Sequence, residues 1–147
     1  MTPNGKAQTE KKTFSRTTAI TQTINAEATV IWNLLTSATN YTQWNSTIVS
    51  LEGTIQEGGK IKLVSTLDPK RTFKLKVKEM VPTSKLVWGD GMGNRTYLLE
   101  AKGKTTVFTM TETIGGLMFP LFAGMIPEFD ASFEQFTADL KAAAEAK

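Results

Sequence analysis

The chain has 147 residues and a net charge of +3, and it contains neither cysteine nor histidine. The absence of cysteine excludes disulfides and thiolate chemistry, and the absence of histidine excludes Ser-His-Asp catalysis and imidazole-bound metals. Any catalysis must therefore use carboxylates, lysine, tyrosine, arginine or a bound cofactor. A chain of this length is typical of one domain, which buries roughly 70% of the surface that its unfolded form exposes.

The positive charge is concentrated at the N-terminus. Residues 1–16 hold four basic residues and one acidic residue, whereas the rest of the chain holds 13 of each kind. We expect residues 1–14 to form a flexible basic tail and residues 15–147 to form a single domain. Nucleic-acid binding requires a basic face that releases counterions. A neutral folded body therefore predicts no nucleic-acid partner.

Two observations bear on location. Residues 1–14 are polar and lack the apolar run of roughly 7–15 residues found in signal peptides. The longest apolar stretch, Leu117 to Ile126, contains Pro120 and Gly124 and is shorter than the roughly 20 residues of a membrane-spanning helix. We expect a cytoplasmic, soluble protein with no stable membrane insertion.

The first elements are a strand and two short helices. The Thr-rich run at residues 17–24 predicts a strand, and Asn25 is expected to cap the helix that follows it. Tyr41 and Trp44, three residues apart, predict one further helical turn. Four apolar residues share one face of the first helix: Val30, Ile31, Leu34 and Leu35.

Residues 48–114 alternate apolar and polar side chains with the period of a strand. Gly- and Pro-containing turns divide this region into six segments. Together with the N-terminal strand they predict a seven-stranded antiparallel sheet. Only one face alternates apolar, so one side of the sheet should be covered and the other should meet water.

Residues 127–146 predict a long helix that supplies this cover. Phe129, Phe133, Phe136 and Leu140 recur at helical spacing and form one bulky apolar stripe. Pro127 suits the first turn of a helix. A stripe of this size fits a curved sheet with room to receive it.

This order of elements resembles the helix-grip fold of the SRPBCC (START-like) superfamily, and specifically its polyketide cyclase/dehydrase-like group. The resemblance covers roughly residues 16–146. The matching positions are Ile24-Asn25-Ala26, Val30-Ile31-Trp32, Leu35, Tyr41, Trp44-Asn45, Gly53, Gly58, Pro82, Leu86-Val87-Trp88, Tyr97, Glu112, Gly115 or Gly116, Leu140-Lys141 and Glu145.

The resemblance implies an α+β fold in which the sheet wraps the last helix and leaves a cavity for an apolar molecule. Relatives include lipid-transfer domains, sterol and hormone binders, polyketide cyclases and partners of other proteins. The fold alone therefore does not choose a function.

The predicted cavity wall consists of inward-facing strand residues and the facing side of the last helix. The alternative is that the same side chains fill a solid core. The strand residues are Leu63, Phe73, Leu75, Trp88, Tyr97, Phe108 and Met110, and the facing residues are Phe129, Phe133 and Phe136.

Arg95 and Glu112 are the clearest polar signal, because both fall on the inward face of neighbouring strands. A hairpin loop at Lys102-Gly103 sets Arg95 opposite Met110, whereas a loop at Gly103-Lys104 sets it opposite Glu112. An unpaired buried charge is very costly. The two side chains therefore either anchor a polar group of a ligand or form an internal ion pair.

Two loops and one strand carry further hypotheses. The Gly-rich hairpin at residues 89–94 is expected to border the cavity mouth. Residues 115–126, which include Met118 and Phe122, form a lid, a dimer contact or plain packing, and both side chains are candidates for ligand contact. Five basic residues alternate with apolar ones and predict a solvated outer face, offset by acidic neighbours, or an acidic-partner surface: Lys70, Arg71, Lys74, Lys76 and Lys78.

We expect the protein to bind a small apolar or amphipathic ligand, and transport of that ligand is one form that this function could take. We expect no cofactor and no metal. The first alternative is a polyketide cyclase or dehydratase in which Glu112, Tyr97 or Arg95 polarises a carbonyl or moves a proton. The second is a protein-interaction module that uses the outer sheet or residues 115–126, with a homodimer among its forms.

Overall fold

The computed structural model describes residues 2–147, and in them eight antiparallel strands form one sheet and α-helices cover one face of it. The sheet order is β1-β2-β8-β7-β6-β5-β4-β3. The strands are β1 (Gln8–Lys11), β2 (Ser15–Ile24), β3 (Ile48–Gly53), β4 (Lys60–Ser65), β5 (Phe73–Val81), β6 (Lys85–Gly89), β7 (Gly93–Lys102) and β8 (Thr105–Gly115). The helices are α1 (Ala28–Thr36), α2 (Tyr41–Trp44), α3 (Phe119–Phe122) and α4 (Asp130–Glu145).

The α+β helix-grip architecture is confirmed, but the predicted count of seven strands is too low by one. The extra strand, β1, lies in the segment predicted to be a flexible tail and pairs with β2, with Gln8 opposite Ala19. Its neighbour Ala7 donates a backbone hydrogen bond to Glu134 of α4. β1 is polar and mostly exposed, so no apolar alternation marks it in the sequence.

α4 packs its apolar stripe into the concave face of the sheet. Phe133, Phe136 and Leu140 are fully buried there. The helix begins at Asp130 rather than at the predicted Pro127. The reason is Arg16, which is itself buried and donates hydrogen bonds to the carbonyls of Ile126 (3.3 Å) and Pro127 (2.6 Å). Those carbonyls are therefore engaged outside the helix.

The prediction that Asn25 caps α1 is wrong. The residue before the helix is Glu27, which has extended backbone angles and makes no side-chain capping bond. Asn25 instead donates its backbone N–H to the Glu145 carboxylate at 2.8 Å. This bond ties the end of β2 to the last turn of α4.

Asn45 fastens the turn after α2 to α4. Its side chain is buried, and its Oδ1 accepts hydrogen bonds from the backbone N–H (3.1 Å) and the hydroxyl (2.6 Å) of Thr47. Its Nδ2 donates to the Phe136 carbonyl at 3.2 Å. Next to it, Ser46 donates two hydrogen bonds to Asp139. The short helices are thereby held against the long one.

Replacing Asn45 with Ala should lower the free energy of unfolding by about 2 kcal/mol or more, because the backbone N–H and hydroxyl of buried Thr47 lose their acceptor. Urea denaturation followed by circular dichroism measures the change. Asn33→Ala is the control, because Asn33 is exposed on α1 and should change stability by less than about 0.5 kcal/mol. Equal effects of the two substitutions would contradict the role given to Asn45.

Candidate functional site: a cavity with a polar end

A cavity of about 180 Å³ opens between β4–β8 and the segment that precedes α4. Its walls are mainly apolar, and the part formed by Arg95 and Glu112 is here called the polar end. Other polar residues also line the cavity, among them Asp68, Arg71 and Asp90. Of the residues expected from the sequence, the structure places seven in this wall: Leu63, Phe73, Leu75, Trp88, Arg95, Glu112 and Phe129.

Other expected wall residues lie deeper, where the side chains fill the grip. Tyr97, Phe108, Met110, Phe133 and Phe136 are fully buried and do not line the cavity. The Phe136 ring lies 5.9 Å from the Tyr97 ring and 5.8 Å from the Trp44 ring. The space between sheet and helix is therefore solidly packed around Phe136, whereas the cavity lies near Phe129, just before α4 begins.

Met118 and Phe122 do not line the cavity either. Met118 is largely exposed, and Phe122 packs edge-on against Phe119 with the ring centroids 5.7 Å apart. The same segment instead contributes Met125 and Ile126 to the wall, next to Pro127. The sequence does not single out these residues within the segment. The segment has no strand or helix periodicity that would show which of its side chains face inward.

Strand register brings Arg95 and Glu112 together. β7 and β8 are joined at Gly103-Lys104, and Gly103 has a positive φ of +70°, which glycine adopts readily. Of the two registers considered, this one sets Arg95 directly opposite Glu112. Arg95 Nε donates a hydrogen bond of 2.7 Å to Glu112 Oε1.

The ion pair leaves polar atoms free for a ligand. The two side chains are 14% and 18% exposed, and both residues line the cavity. Within residues 2–147, the hydrogen bond between the two side chains joins Arg95 Nε and Glu112 Oε1, so Arg95 Nη1 and Nη2 and Glu112 Oε2 take no part in it. The guanidinium also lies over the Phe133 ring, 5.0 Å from its centroid. The pair thus offers a ligand both hydrogen-bond donors, from Arg95, and an acceptor, from Glu112.

Burial and charge shift the pKa values around this pair. Burial alone would lower the pKa of Arg95, but the Glu112 carboxylate and Tyr97 raise it, and the net direction is upward. Burial raises the pKa of Tyr97 to about 12, although Arg95 opposes the shift. The pKa of Tyr41 is also raised, chiefly by burial. Arg95 therefore stays charged and both tyrosines stay protonated near neutral pH.

The hairpin between β6 and β7 lines the cavity with most of its residues. The Asp90 carboxylate accepts hydrogen bonds from the backbone N–H groups of Met92 (2.8 Å) and Gly93 (3.1 Å). Lys78 donates to the Asp90 carbonyl (3.1 Å) and to the Asn94 side chain (2.6 Å). Lys78 therefore holds this hairpin in place, in addition to its position on the basic strand.

The fold and this cavity define a START-like helix-grip protein. Over residues 15–145 the chain matches the family described as polyketide cyclase / dehydrase and lipid transport, and it belongs to that family. No protein of curated function matches it in sequence.

Solved structures agree with this fold at low sequence identity. A protein from Rhodobacter sphaeroides superposes with a TM-score of 0.69 at 17% identity, over 97% of this chain and 99% of that one. A START superfamily protein from Mycobacterium smegmatis gives 0.65 at 15% identity, over 88% and 97%. CalU16 from Micromonospora echinospora gives 0.57 at 16% identity, over 95% and 93%. Within residues 2–147, no helix has the length and apolar content needed to cross a membrane.

The raised pKa values of Tyr41 and Tyr97, the two tyrosines of the chain, provide a test of how deeply these side chains are buried. The folded protein keeps their protons above pH 10, whereas the unfolded chain releases them near that value. Stability should therefore fall as the pH rises from about 10 towards 12, by up to about 1.4 kcal/mol per pH unit for each tyrosine. Urea denaturation at pH 9, 10 and 11 measures the slope.

Tyr97→Phe should reduce this slope by about half, because it removes one of the two hydroxyls whose pKa is raised by folding. Absorbance at 295 nm gives a second measurement of the same burial. A native protein whose tyrosines ionise near pH 10 would contradict the prediction.

The ion pair should behave as one unit. Glu112→Gln should lower the free energy of unfolding by about 3 kcal/mol, since it leaves Arg95 without a countercharge. The double variant Arg95→Met/Glu112→Met should cost less than Arg95→Met or Glu112→Met alone, because no buried charge remains. A thermodynamic cycle from urea melts measures the coupling, and strictly additive effects would show that the two side chains do not interact.

Proposed function

We propose that the protein binds a small apolar or amphipathic molecule whose polar group contacts Arg95 and Glu112. The observation that carries this proposal is the set of polar atoms that the ion pair does not use, namely Arg95 Nη1 and Nη2 and Glu112 Oε2, in two residues that line the cavity. The two side chains keep 14% and 18% of their surface exposed, so a ligand can reach them. A ligand that hydrogen-bonds to these atoms stabilises the folded protein as it binds.

The cavity favours a ligand with a flat or slender apolar body. Its wall includes the rings of Phe73, Trp88 and Phe129, which provide rigid apolar contacts. Its volume is below the roughly 300–1,000 Å³ of pockets for drug-sized ligands. This size suits a small ring compound, or one acyl chain whose remainder leaves through the mouth.

The polar end favours a carboxylate, carbonyl or hydroxyl. Guanidinium groups bind carboxylates through paired hydrogen bonds, and the free Nη atoms of Arg95 supply such donors. Glu112 Oε2 adds an acceptor for a ligand hydroxyl. The description of the family as lipid transport is consistent with this chemistry.

The same geometry supports binding more than catalysis. Tyr97 is fully buried, is not part of the wall and has a pKa raised to about 12, so it does not act as a base near neutral pH. One carboxylate oxygen of Glu112 already accepts the hydrogen bond from Arg95. The cyclase or dehydratase alternative would have to rely on the remaining oxygen alone.

The binding of two fluorescent probes tests the proposal, one a fatty acid and one a neutral naphthylamine. Leu63→Trp should weaken both at least tenfold, because the larger ring fills the cavity. Leu98→Trp is the matched control, since Leu98 lies exposed on the outer face of β7, and it should change neither.

The double variant Arg95→Met/Glu112→Met separates the polar anchor from the apolar wall. It should weaken the fatty acid probe about tenfold or more and leave the neutral probe within about twofold, because one good charged hydrogen bond is worth about 1.5–3 kcal/mol. Native mass spectrometry of the protein purified from cells should show a bound apolar molecule. Failure of the wild type to bind either probe, together with an empty native spectrum, would overturn the proposal.

A further inference from the structure

We propose that the end of the protein that holds the cavity mouth docks on an anionic lipid bilayer. The first observation is the distribution of charge. Residues 60–78 carry seven basic residues and one acidic residue, whereas the rest of the chain carries ten basic and thirteen acidic residues. The folded body is therefore neutral only on average, and one region of it is strongly positive.

Four of these basic residues form a cluster on the outer face of β4 and β5, here called the lysine quartet: Lys60, Lys62, Lys74 and Lys76. Strand register sets Lys60 opposite Lys76 and Lys62 opposite Lys74. All four are exposed, and within residues 2–147 none forms a salt bridge. Like charges directly opposite one another on neighbouring strands are destabilising.

The expectation that acidic neighbours offset the lysines of β5 is wrong for Lys74 and Lys76, the two members of the quartet to which it applied. The strand next to β5 on one side is β4, which contributes two further lysines rather than carboxylates. On the other side Gly89 faces Lys76. Only Glu52 of β3 lies opposite a member of the quartet, Lys62. The quartet thus carries unneutralised charge at a cost in stability, which an anionic surface would offset.

The second observation is a group of exposed apolar side chains, here called the apolar rim: Leu117, Met118, Leu121 and Met125. Their exposed fractions are 87%, 61%, 74% and 78%. They lie around α3, whose Phe119 is buried and packs against Phe122. The rim is therefore held outward by an anchored turn, rather than left exposed by a lack of structure.

The basic region and the apolar rim each reach the cavity. Arg71 from the β4–β5 loop and Met125 from the rim both line it, and both are exposed. An exposed cation and an exposed large apolar side chain therefore lie at the same opening. The quartet lies on the outer face of the two strands whose Leu63 and Phe73 line the cavity, because successive strand residues point to opposite faces.

This combination fits an anionic bilayer better than other polyanions. Lipid headgroups attract lysine and arginine, while the acyl boundary accepts exposed leucine and methionine side chains. A nucleic acid would engage the quartet and leave the rim in water. An acidic protein would do the same unless it also offered an apolar patch. If the cavity binds its proposed ligand, docking in this orientation places the mouth against the acyl chains.

Vesicle sedimentation tests the docking with the full chain and no added ligand. Vesicles of phosphatidylcholine with about 30% phosphatidylserine should bind the protein at low ionic strength, and vesicles of phosphatidylcholine alone should bind it at least tenfold more weakly. Binding should weaken further as salt is raised, because salt screens exposed charges.

Three variants identify the surface. Lys62→Gln/Lys74→Gln should weaken binding about tenfold or more, since each basic residue near an anionic surface contributes about fivefold. Leu121→Gln/Met125→Gln should weaken it through loss of the apolar contact. Lys102→Gln/Lys104→Gln removes the same charge at the β7–β8 hairpin. This hairpin lies at the other end of β7 and β8 from the residues that line the cavity, so the variant should have little effect.

Circular dichroism checks that the variants fold, and the quartet variant should melt at the same or a higher temperature because it relieves repulsion. No sedimentation with the anionic vesicles, or an equal loss in the hairpin control, would overturn the proposal. So would lysine-dependent binding of a single-stranded oligonucleotide or of polyglutamate when vesicles do not bind. Because no ligand is present, the result stands apart from the test of the cavity.

Discussion

The fold depends on the packing of the α4 phenylalanines inside a curved sheet. A sheet with one apolar face needs a cover, and here a single helix provides most of it. The buried ring of Phe136 packs against Tyr97 of β7, and that of Phe133 lies under Arg95 of the same strand. Asn45 and Glu145 fasten the helix to the α2–β3 turn and to the end of β2. A single straight helix cannot fill the whole concave face. The space that remains is the cavity.

The same packing explains why a charged pair is tolerated inside. Arg95 sits over the Phe133 ring, which attracts a cation, and bonds to Glu112 on the next strand. A buried ion pair is weak evidence for stability, because desolvation offsets most of the attraction. The pair lies where the solid core gives way to the cavity, and it adds charged groups to a wall that is mainly apolar.

Strand periodicity predicted the parts of the structure that depend on alternation. It placed Leu63, Phe73, Leu75 and Trp88 on the inward face, and it limited the partner of Arg95 to two registers. It could not choose between those registers, because the turn at Gly103 decides by its backbone conformation. Nor could it find the limit between core and cavity, since buried Phe108 and Met110 have the same pattern as the wall residues.

Other features depended on contacts that are distant in sequence. β1 is a polar edge strand that forms by pairing with β2, and α4 starts late because Arg16, more than a hundred residues earlier, engages the preceding carbonyls. The repulsive lysine pairs of β4 and β5 arise from register alone. Local composition records none of these contacts.

The hydrogen bonds of Arg16 also have a mechanical consequence. Gly116 donates its backbone N–H to the Phe14 carbonyl at 3.0 Å, and the far end of the same segment, at Ile126 and Pro127, is bonded to Arg16. Residues 117–125 are therefore a closed loop whose two ends are pinned to one three-residue stretch of chain. Both ends of this loop are thus fixed by Phe14–Arg16, so a change in that short stretch would also shift the Met125 side of the cavity wall.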